Sequence, residues 1–123
     1  MKMRAITAIV ATALLSALSH ADCVYPRAPG SAPDGLTATE QEMLEGMQAV
    51  KDYNERVTQY LECLEKETNE RIEAAGPDAP PDQIAQIKAI HSKRHNAAVE
   101  ELEAHAARFN EQVKAYKARS KKD

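Results

Sequence analysis

Residues 74–82 read AAGPDAPPD and separate two long stretches with helical periodicity. Gly76 suits the left-handed backbone conformation that often ends a helix, and Pro77 cannot continue one. Pro81 suits the first position of a second helix, where its missing N–H removes no intrahelical bond, and Asp82 complements the helix dipole there. The stretch therefore predicts two helices joined by a short loop, as in an antiparallel helical hairpin.

The stretch before the loop opens with helix-capping signals. Thr37 with Glu40, and Thr39 with Glu42, both fit the capping box, in which a Thr is followed three residues later by Glu. Apolar residues then recur at helical spacing: Met43, Met47, Val50, Val57, Leu61, Leu64 and Ile72. This pattern predicts a first helix over about residues 38–75.

The stretch after the loop carries a stripe with a period close to 3.6 residues. Its members are Ile84, Ile87, His91, His95, Ala98, Leu102, His105, Phe109, Val113 and Tyr116. A second helix is expected over about residues 81–118, with residues 119–123 as a frayed basic tail. No strand pattern or internal repeat competes with this helical interpretation, so the sequence predicts an all-α fold. The helical hairpin would form a domain over residues 37–118 with coiled-coil-like packing.

Residues 1–21 have the pattern of a secretory signal peptide. Lys2 and Arg4 precede an apolar run over residues 5–18, and Ser19 and Ala21 place small residues at a cleavage site. The apolar run is shorter than the roughly 20 residues that a membrane span needs. We therefore expect a periplasmic or secreted protein with no stable membrane insertion after cleavage.

The charge balance disfavours nucleic acid as a partner. Removing Lys2 and Arg4 from the 16 basic residues leaves 14 against 19 acidic ones, a formal charge of 14 − 19 = −5. Nucleic-acid affinity depends largely on phosphate neutralisation by Lys and Arg. The chain also has no Trp and a single Phe for base stacking.

Cys23 and Cys63 are the two cysteines of the chain. Asp22 argues against lipidation of Cys23, no other metal ligand lies near it at suitable spacing, and exported cysteine pairs normally form disulfides. The Pro-rich arm, residues 22–36, reaches about 40 Å in polyproline conformation. The helix from its start to Cys63 is about 37 Å long. These lengths predict a Cys23–Cys63 disulfide that pins an extended arm against the first helix.

Two helices alone bury only a narrow seam of side chains between them, because each apolar stripe is wider than one partner helix can cover. The N-terminal arm would cover part of the exposed flanks. A second copy of the chain, giving a four-helix bundle, would cover the rest. A homodimer is therefore one expected arrangement.

Three segments carry a resemblance to a known group of proteins: DCVYPRAP (22–29), AVKDYNERVTQYLECLEKE (49–67) and RHNAAVEELEAHAARFNEQVKAYKAR (94–119). Together they resemble small exported helical-hairpin proteins of Gram-negative bacteria whose function is unassigned. The resemblance covers nearly all of the chain after the leader. It implies export, paired cysteines and a helical hairpin, and it carries over no catalytic or binding residue.

His91 and His95 are the strongest candidates for a functional site, in this case a metal-binding site. Residues four apart share a helix face, where two imidazoles can bind copper, zinc or nickel, with Glu65 or Glu67 as further candidate ligands. The metalloprotease pattern H-E-x-x-H is absent because Ser92 follows His91. The alternatives are seam histidines that hydrogen-bond to Tyr53, Tyr60 or a Glu, and a proton-sensing role.

The sequence favours a non-enzymatic protein-binding or scaffold function, including a chaperone-like role. Two long amphipathic helices offer a surface for a partner protein, and no nucleophile elbow or Gly-rich phosphate loop is present. A metal-binding or metal-sensing protein that uses His91 and His95 is the alternative. We expect no enzyme activity and no cofactor besides that metal, and the residues of the partner surface are left open.

Overall fold

The computed structural model describes residues 22–122 and contains two helices, α1 over Glu40–Ala75 and α2 over Pro81–Ser120. No strand occurs in that range, which confirms the all-helical class. Neither helix has an apolar stretch long enough to cross a membrane, within the same residues. The expected signal peptide, residues 1–21, lies outside the described residues.

The second of the two capping-box matches starts α1. The backbone N–H of Glu42 donates to Thr39 Oγ1 at 3.2 Å, and the N–H of Thr39 donates to Glu42 Oε2 at 2.7 Å. The helix begins two residues later than expected because Ala38 belongs to a preceding turn, where its N–H donates to Asp34 O at 2.7 Å. At the other end Gly76 has a φ of 81° and closes the helix by donating to Glu73 O.

The two helices form a helical hairpin. Near the loop, Thr68 Oγ1 and His91 Nδ1 are 2.9 Å apart. In the middle, the rings of Tyr53 and His105 meet edge to face with 5.6 Å between centroids. Contacting residues thus lie at similar distances from the loop along the two helices.

The expected disulfide is present and anchors the N-terminal arm. Cys23 and Cys63 are bonded, with their Cα atoms 5.7 Å apart. The arm also reaches α2, since Tyr25 Oη donates to Glu101 Oε2 at 2.7 Å and Gly35 N donates to Gln112 Oε1 at 2.9 Å. We expected the arm to lie along the first helix, and the structure adds these contacts with the second.

The arm supplies part of the hydrophobic core. The larger buried cluster contains Cys23, Tyr53, Val57, Tyr60, Leu64 and Ala98, with Ala28 of the arm packed against it. A smaller cluster contains Ala38, Met43 and Phe109, with Ala32 packed against it. Both clusters therefore combine residues of the arm, or of the turn before α1, with residues of the two helices.

The end of α2 is more ordered than the sequence indicated. Arg119 donates from Nη1 to Leu36 O at 2.8 Å and from Nη2 to Ala38 O at 2.7 Å. Its guanidinium also lies 5.0 Å from the centroid of the Tyr116 ring. These contacts join the last turn of α2 to the start of α1, and the helix continues to Ser120 instead of fraying after Ala118.

Gly46 allows the arm and both helices to meet at one point. A Cβ at this position would lie 2.8 Å from the ring of Pro33 in the arm and 2.9 Å from the ring of Phe109 in α2. Contacts this short are not tolerated between carbon atoms without movement of the neighbours. Packing therefore outweighs the weak helix propensity of glycine here.

We predict that Gly46→Ala destabilises the protein. Alanine would favour the helix by about 1 kcal/mol, but overpacking of this kind costs about 1–3 kcal/mol, and both Pro33 and Phe109 would have to shift. The melting temperature should fall while that of the control Gly30→Ala, where a Cβ meets no atom within 4 Å, should stay close to the parent value. A Gly46→Ala protein at least as stable as the parent would contradict this packing.

Candidate functional site

An open cleft lies between the arm and α1, and we call it the arm cleft. Residues 24–30 of the arm form one wall, and Arg56, Gln59, Tyr60 and Cys63 of α1 form the other. Its volume is about 900 Å³. The arm wall is about 19 Å long if its six residue steps are extended as in polyproline.

The sequence explains why these residues face each other. Residues three, four and seven positions before Cys63 share its helix face, so the disulfide brings Tyr60, Gln59 and Arg56 next to the arm. Pro26 and Pro29 restrict the backbone of the opposite wall. A covalent bond at one end of the cleft thus fixes both walls.

Tyr25 connects the arm wall to α2. Its ring meets that of Tyr60 edge to face, with 5.2 Å between centroids, and its hydroxyl donates to the Glu101 carboxylate. The hydrogen bond to Glu101, followed by burial, raises the pKa of Tyr25 to about 12. The phenol is therefore neutral at physiological pH and remains a donor.

Two arginines give the cleft a positive character. Arg56 Nη2 donates to the backbone oxygen of Arg27 at 3.3 Å, and its guanidinium lies 5.9 Å from the centroid of the Tyr53 ring. Arg27 is exposed on the arm wall. None of the residues that line the cleft is Asp or Glu, although the Glu101 carboxylate beside it accepts a hydrogen bond from Tyr25. The lining side chains are therefore net positive, whereas the overall charge of the chain is negative.

The backbone of the arm is mostly unpaired. No backbone–backbone hydrogen bond joins residues 22–33 to the rest of the described chain. The arm therefore presents N–H and C=O groups on an extended segment, which is the feature that peptides use when they pair with an exposed edge.

The two candidate metal ligands lie side by side on α2. The rings of His91 and His95 have centroids 5.9 Å apart. His91 Nδ1 is paired with Thr68 Oγ1, and His95 Nδ1 lies 3.3 Å from Asn96 Oδ1. Across residues 22–122 no group of three or more potential ligands comes together. The metal hypothesis thus remains a prediction for the two histidines alone.

Within the described residues, Glu65 and Glu67 form no group of three or more potential ligands with the histidine pair. Glu67 forms ion pairs with Arg71 and with Arg94 of α2, the latter at 3.3 Å. Glu65 is exposed and lines a shallow polar hollow with Glu62 and Lys66. The hydrogen-bond partner of His91 is Thr68, which the sequence did not indicate.

His105 is the buried histidine of the helix seam, with 5 % of its surface exposed. Burial, and secondly the positive charge of Arg108, lower its pKa below the ordinary value of 6.5, while Glu101 acts in the opposite direction. Its contact with Tyr53 is between rings, not the hydrogen bond expected for seam histidines. The Tyr53 hydroxyl is buried and has no hydrogen-bond partner among the described residues.

Sequence reasoning identified the two cysteines but missed the cleft beside them. Arg27 lies four positions after Cys23, and Arg56 lies seven positions before Cys63. Those spacings place both side chains near the disulfide once that bond is assumed. The contact of Tyr25 with Glu101 joins residues 76 positions apart. No local pattern in the sequence signals such a long-range pair.

No family model matches this chain, and no curated protein or solved structure is detectably similar to it. The functional argument therefore depends on the geometry of the arm, the cleft and the helices.

We predict that stability falls at acidic pH because of His105. Its pKa is lower in the folded protein than in the unfolded chain, so the unfolded chain binds more protons between those two values. The contribution is fully present above pH 6.5 and is lost as the pH falls through the lowered pKa, by about 1.4 kcal/mol for each unit of the shift. Melting curves of the parent and of His105→Phe measure it.

The variant His105→Phe keeps a ring in the seam but removes the titrating group. Its melting temperature should fall less than that of the parent when the pH is lowered from neutral to mildly acidic. Parallel pH dependence in the two proteins would show that His105 is not the group responsible.

Proposed function

We propose that this protein is a non-enzymatic binding protein of the periplasm, or of the secreted fraction, that holds a partner protein at the arm cleft. In this proposal the chain is an antiparallel helical hairpin exported by its leader, with a scaffold or chaperone-like role. The cleft carries the proposal, because a disulfide fixes two walls around an open volume of about 900 Å³.

The composition of the cleft supports protein binding. Val24 is 83 % exposed and Tyr25 is 45 % exposed, and both lie beside Tyr60, Arg27 and Arg56. Tyrosine and arginine are enriched among the residues that contribute most to protein–protein affinity. Single exposed apolar residues are ordinary, whereas these are grouped with the residue types that interfaces prefer.

The polar groups of the cleft support a binding role over a catalytic one. The lining side chains offer two guanidinium groups, one amide and the phenols of Tyr25 and Tyr60. A guanidinium remains protonated in proteins, and the pKa of Tyr25 is about 12. General acid–base catalysis needs a group whose pKa lies near the operating pH, so the proposal assigns no catalytic step to this cleft.

Other apolar residues suit a second copy of the chain. Leu36, Leu44 and Met47 are exposed around the start of α1. A homodimer that covers them would form the four-helix bundle expected from the sequence. None of these three residues lines the arm cleft, so the proposal allows a dimer and a bound partner protein together.

Site-specific photocrosslinking tests the proposed function. A photoreactive amino acid is placed at Gln59 in the cleft, at Leu44 near the start of α1, and at the exposed Lys88 of α2 as a control. We expect Gln59 to form an adduct with another protein in the native envelope, because its side chain lines the cleft. An adduct at Leu44 with twice the mass of the chain would indicate the homodimer.

The control at Lys88 measures the background of non-specific crosslinking in the same compartment. If Gln59 forms no more adduct than Lys88, the cleft is not a protein-binding surface. If Leu44 alone reacts, and only with a second copy, the chain self-assembles without a partner at the cleft.

Metal binding by His91 and His95 is the second candidate function. The observation in its favour is the 5.9 Å separation of two imidazole rings on one helix face. We expect calorimetric titration with copper, zinc or nickel to give saturable binding that the His91→Ala, His95→Ala double variant loses. Equal binding by the double variant, or no heat of binding for the parent, would remove this candidate.

A further inference from the structure

We propose that the arm cleft recognises an extended acidic segment of the partner protein, with a carboxylate between Arg27 and Arg56 and apolar side chains on either side of that carboxylate. This inference rests on the proposed binding function and specifies the chemistry of its ligand. It follows from the charge, the shape, the unpaired backbone and the apolar lining of the cleft.

The positive charge of the cleft-lining side chains favours an acidic ligand. Arg27 and Arg56 belong to opposite walls, and no acidic residue lines the cleft between them. Residues 22–123 carry 14 basic and 19 acidic side chains, so this positive cleft contrasts with the rest of the chain. Arg56 uses Nη2 to hold Arg27 O, and a guanidinium has five N–H donors, so donors remain for a carboxylate in paired geometry.

The shape of the arm cleft favours an extended ligand segment. The helix wall from Arg56 to Cys63 is about 10 Å long at 1.5 Å per residue, and the arm wall is about 19 Å long. An extended peptide advances about 3.3 Å per residue, so the cleft accommodates roughly three to six residues of it.

The arm backbone favours the same conformation. Residues 22–33 have no backbone–backbone hydrogen bond with the rest of the described chain, so a ligand strand can pair with them. Pro26 and Pro29 lack an N–H. Pairing can therefore use N–H groups such as those of Val24 and Arg27 and the carbonyls of the arm, except Arg27 O, which already accepts from Arg56.

The apolar lining predicts the residues that flank the carboxylate. Val24 is the most exposed of the large apolar residues in the described chain, and Tyr25 next to it is 45 % exposed, whereas the Tyr60 ring behind Tyr25 is buried. Valine-like or leucine-like ligand residues would remove this surface from water. The favoured ligand thus alternates acidic and apolar residues.

The disulfide makes this recognition dependent on oxidation. Cys63 lines the cleft, and its bond to Cys23 holds the arm wall opposite Arg56. Without that bond the arm wall is held near the helices only by noncovalent contacts, such as those of Tyr25 with Glu101 and of Arg56 with Arg27 O, so the two walls are fixed less firmly around a ligand. Affinity for the acidic segment should therefore be higher in the oxidised protein.

The test uses acetylated and amidated peptides with the full mature chain. The probe has the sequence AVEVEVA, and AVQVQVA is its uncharged counterpart. We expect AVEVEVA to shift the amide NMR signals of the non-proline residues within 24–30 and of residues 56–63. We also expect it to bind about tenfold more tightly than AVQVQVA, which is about 1.4 kcal/mol. Equal affinities, or shifts confined to other residues, would overturn the proposal.

Matched variants separate specific recognition from general electrostatics. Arg27→Gln combined with Arg56→Gln removes two positive charges from the cleft, and Lys88→Gln combined with Lys93→Gln removes two from exposed positions on α2. The first pair should lose about tenfold in affinity for AVEVEVA and the second should bind as the parent does. Equal losses would show a non-specific charge effect and contradict the proposal.

Two further experiments complete the test. The Cys23→Ser, Cys63→Ser variant, with circular dichroism confirming its helices, should lose affinity for AVEVEVA; parent-like affinity would contradict the role of the disulfide. Vesicles of phosphatidylglycerol should leave the cleft signals unchanged, and shifts equal to those caused by the peptide would identify an anionic surface instead. If photocrosslinking at Gln59 finds a partner but AVEVEVA fails to bind, the binding function stands and the acidic ligand is wrong.

Discussion

The disulfide between Cys23 and Cys63 is the constraint on which the rest of the structure depends. Two amphipathic helices bury a seam between them and leave its flanks exposed, and the arm covers one flank because a covalent bond holds it there. A loop of this length contributes about 4 kcal/mol in the chain-entropy account. That is a large share of the stability of a small domain, for which about 5–15 kcal/mol is usual.

The same bond connects stability with function. It creates the arm cleft by holding an extended segment beside a helix, and the contacts of Tyr25 with Glu101 and of Gly35 with Gln112 attach that segment to the second helix. Walls that are fixed before a ligand arrives reduce the ordering cost of binding. In the proposed function, a short arm attached in this way gives a two-helix protein a recognition site that the helices alone do not provide.

Much of the fold follows from local sequence chemistry, and the candidate site does not. The loop between Ala75 and Pro81, the capping box at Thr39 and the cysteine pair all depend on neighbouring residues or on composition, and the helix bounds agree to within two residues. Arg119 contacts Leu36 and Ala38 more than 80 positions away. Its pairing depends on the relative rotation of the helices, which a periodic stripe leaves undefined, whereas the burial of His105 agrees with its position in the stripe.

The most direct test of this account is the redox state of the cysteines in protein recovered from its native compartment. The protein is denatured, treated with an alkylating agent without reductant, and analysed by intact mass and by proteolytic mapping. We predict an unalkylated chain and a cross-linked peptide that joins the segments containing Cys23 and Cys63. Two alkylated thiols would contradict it, because the arm would then have no covalent attachment and the cleft no fixed wall.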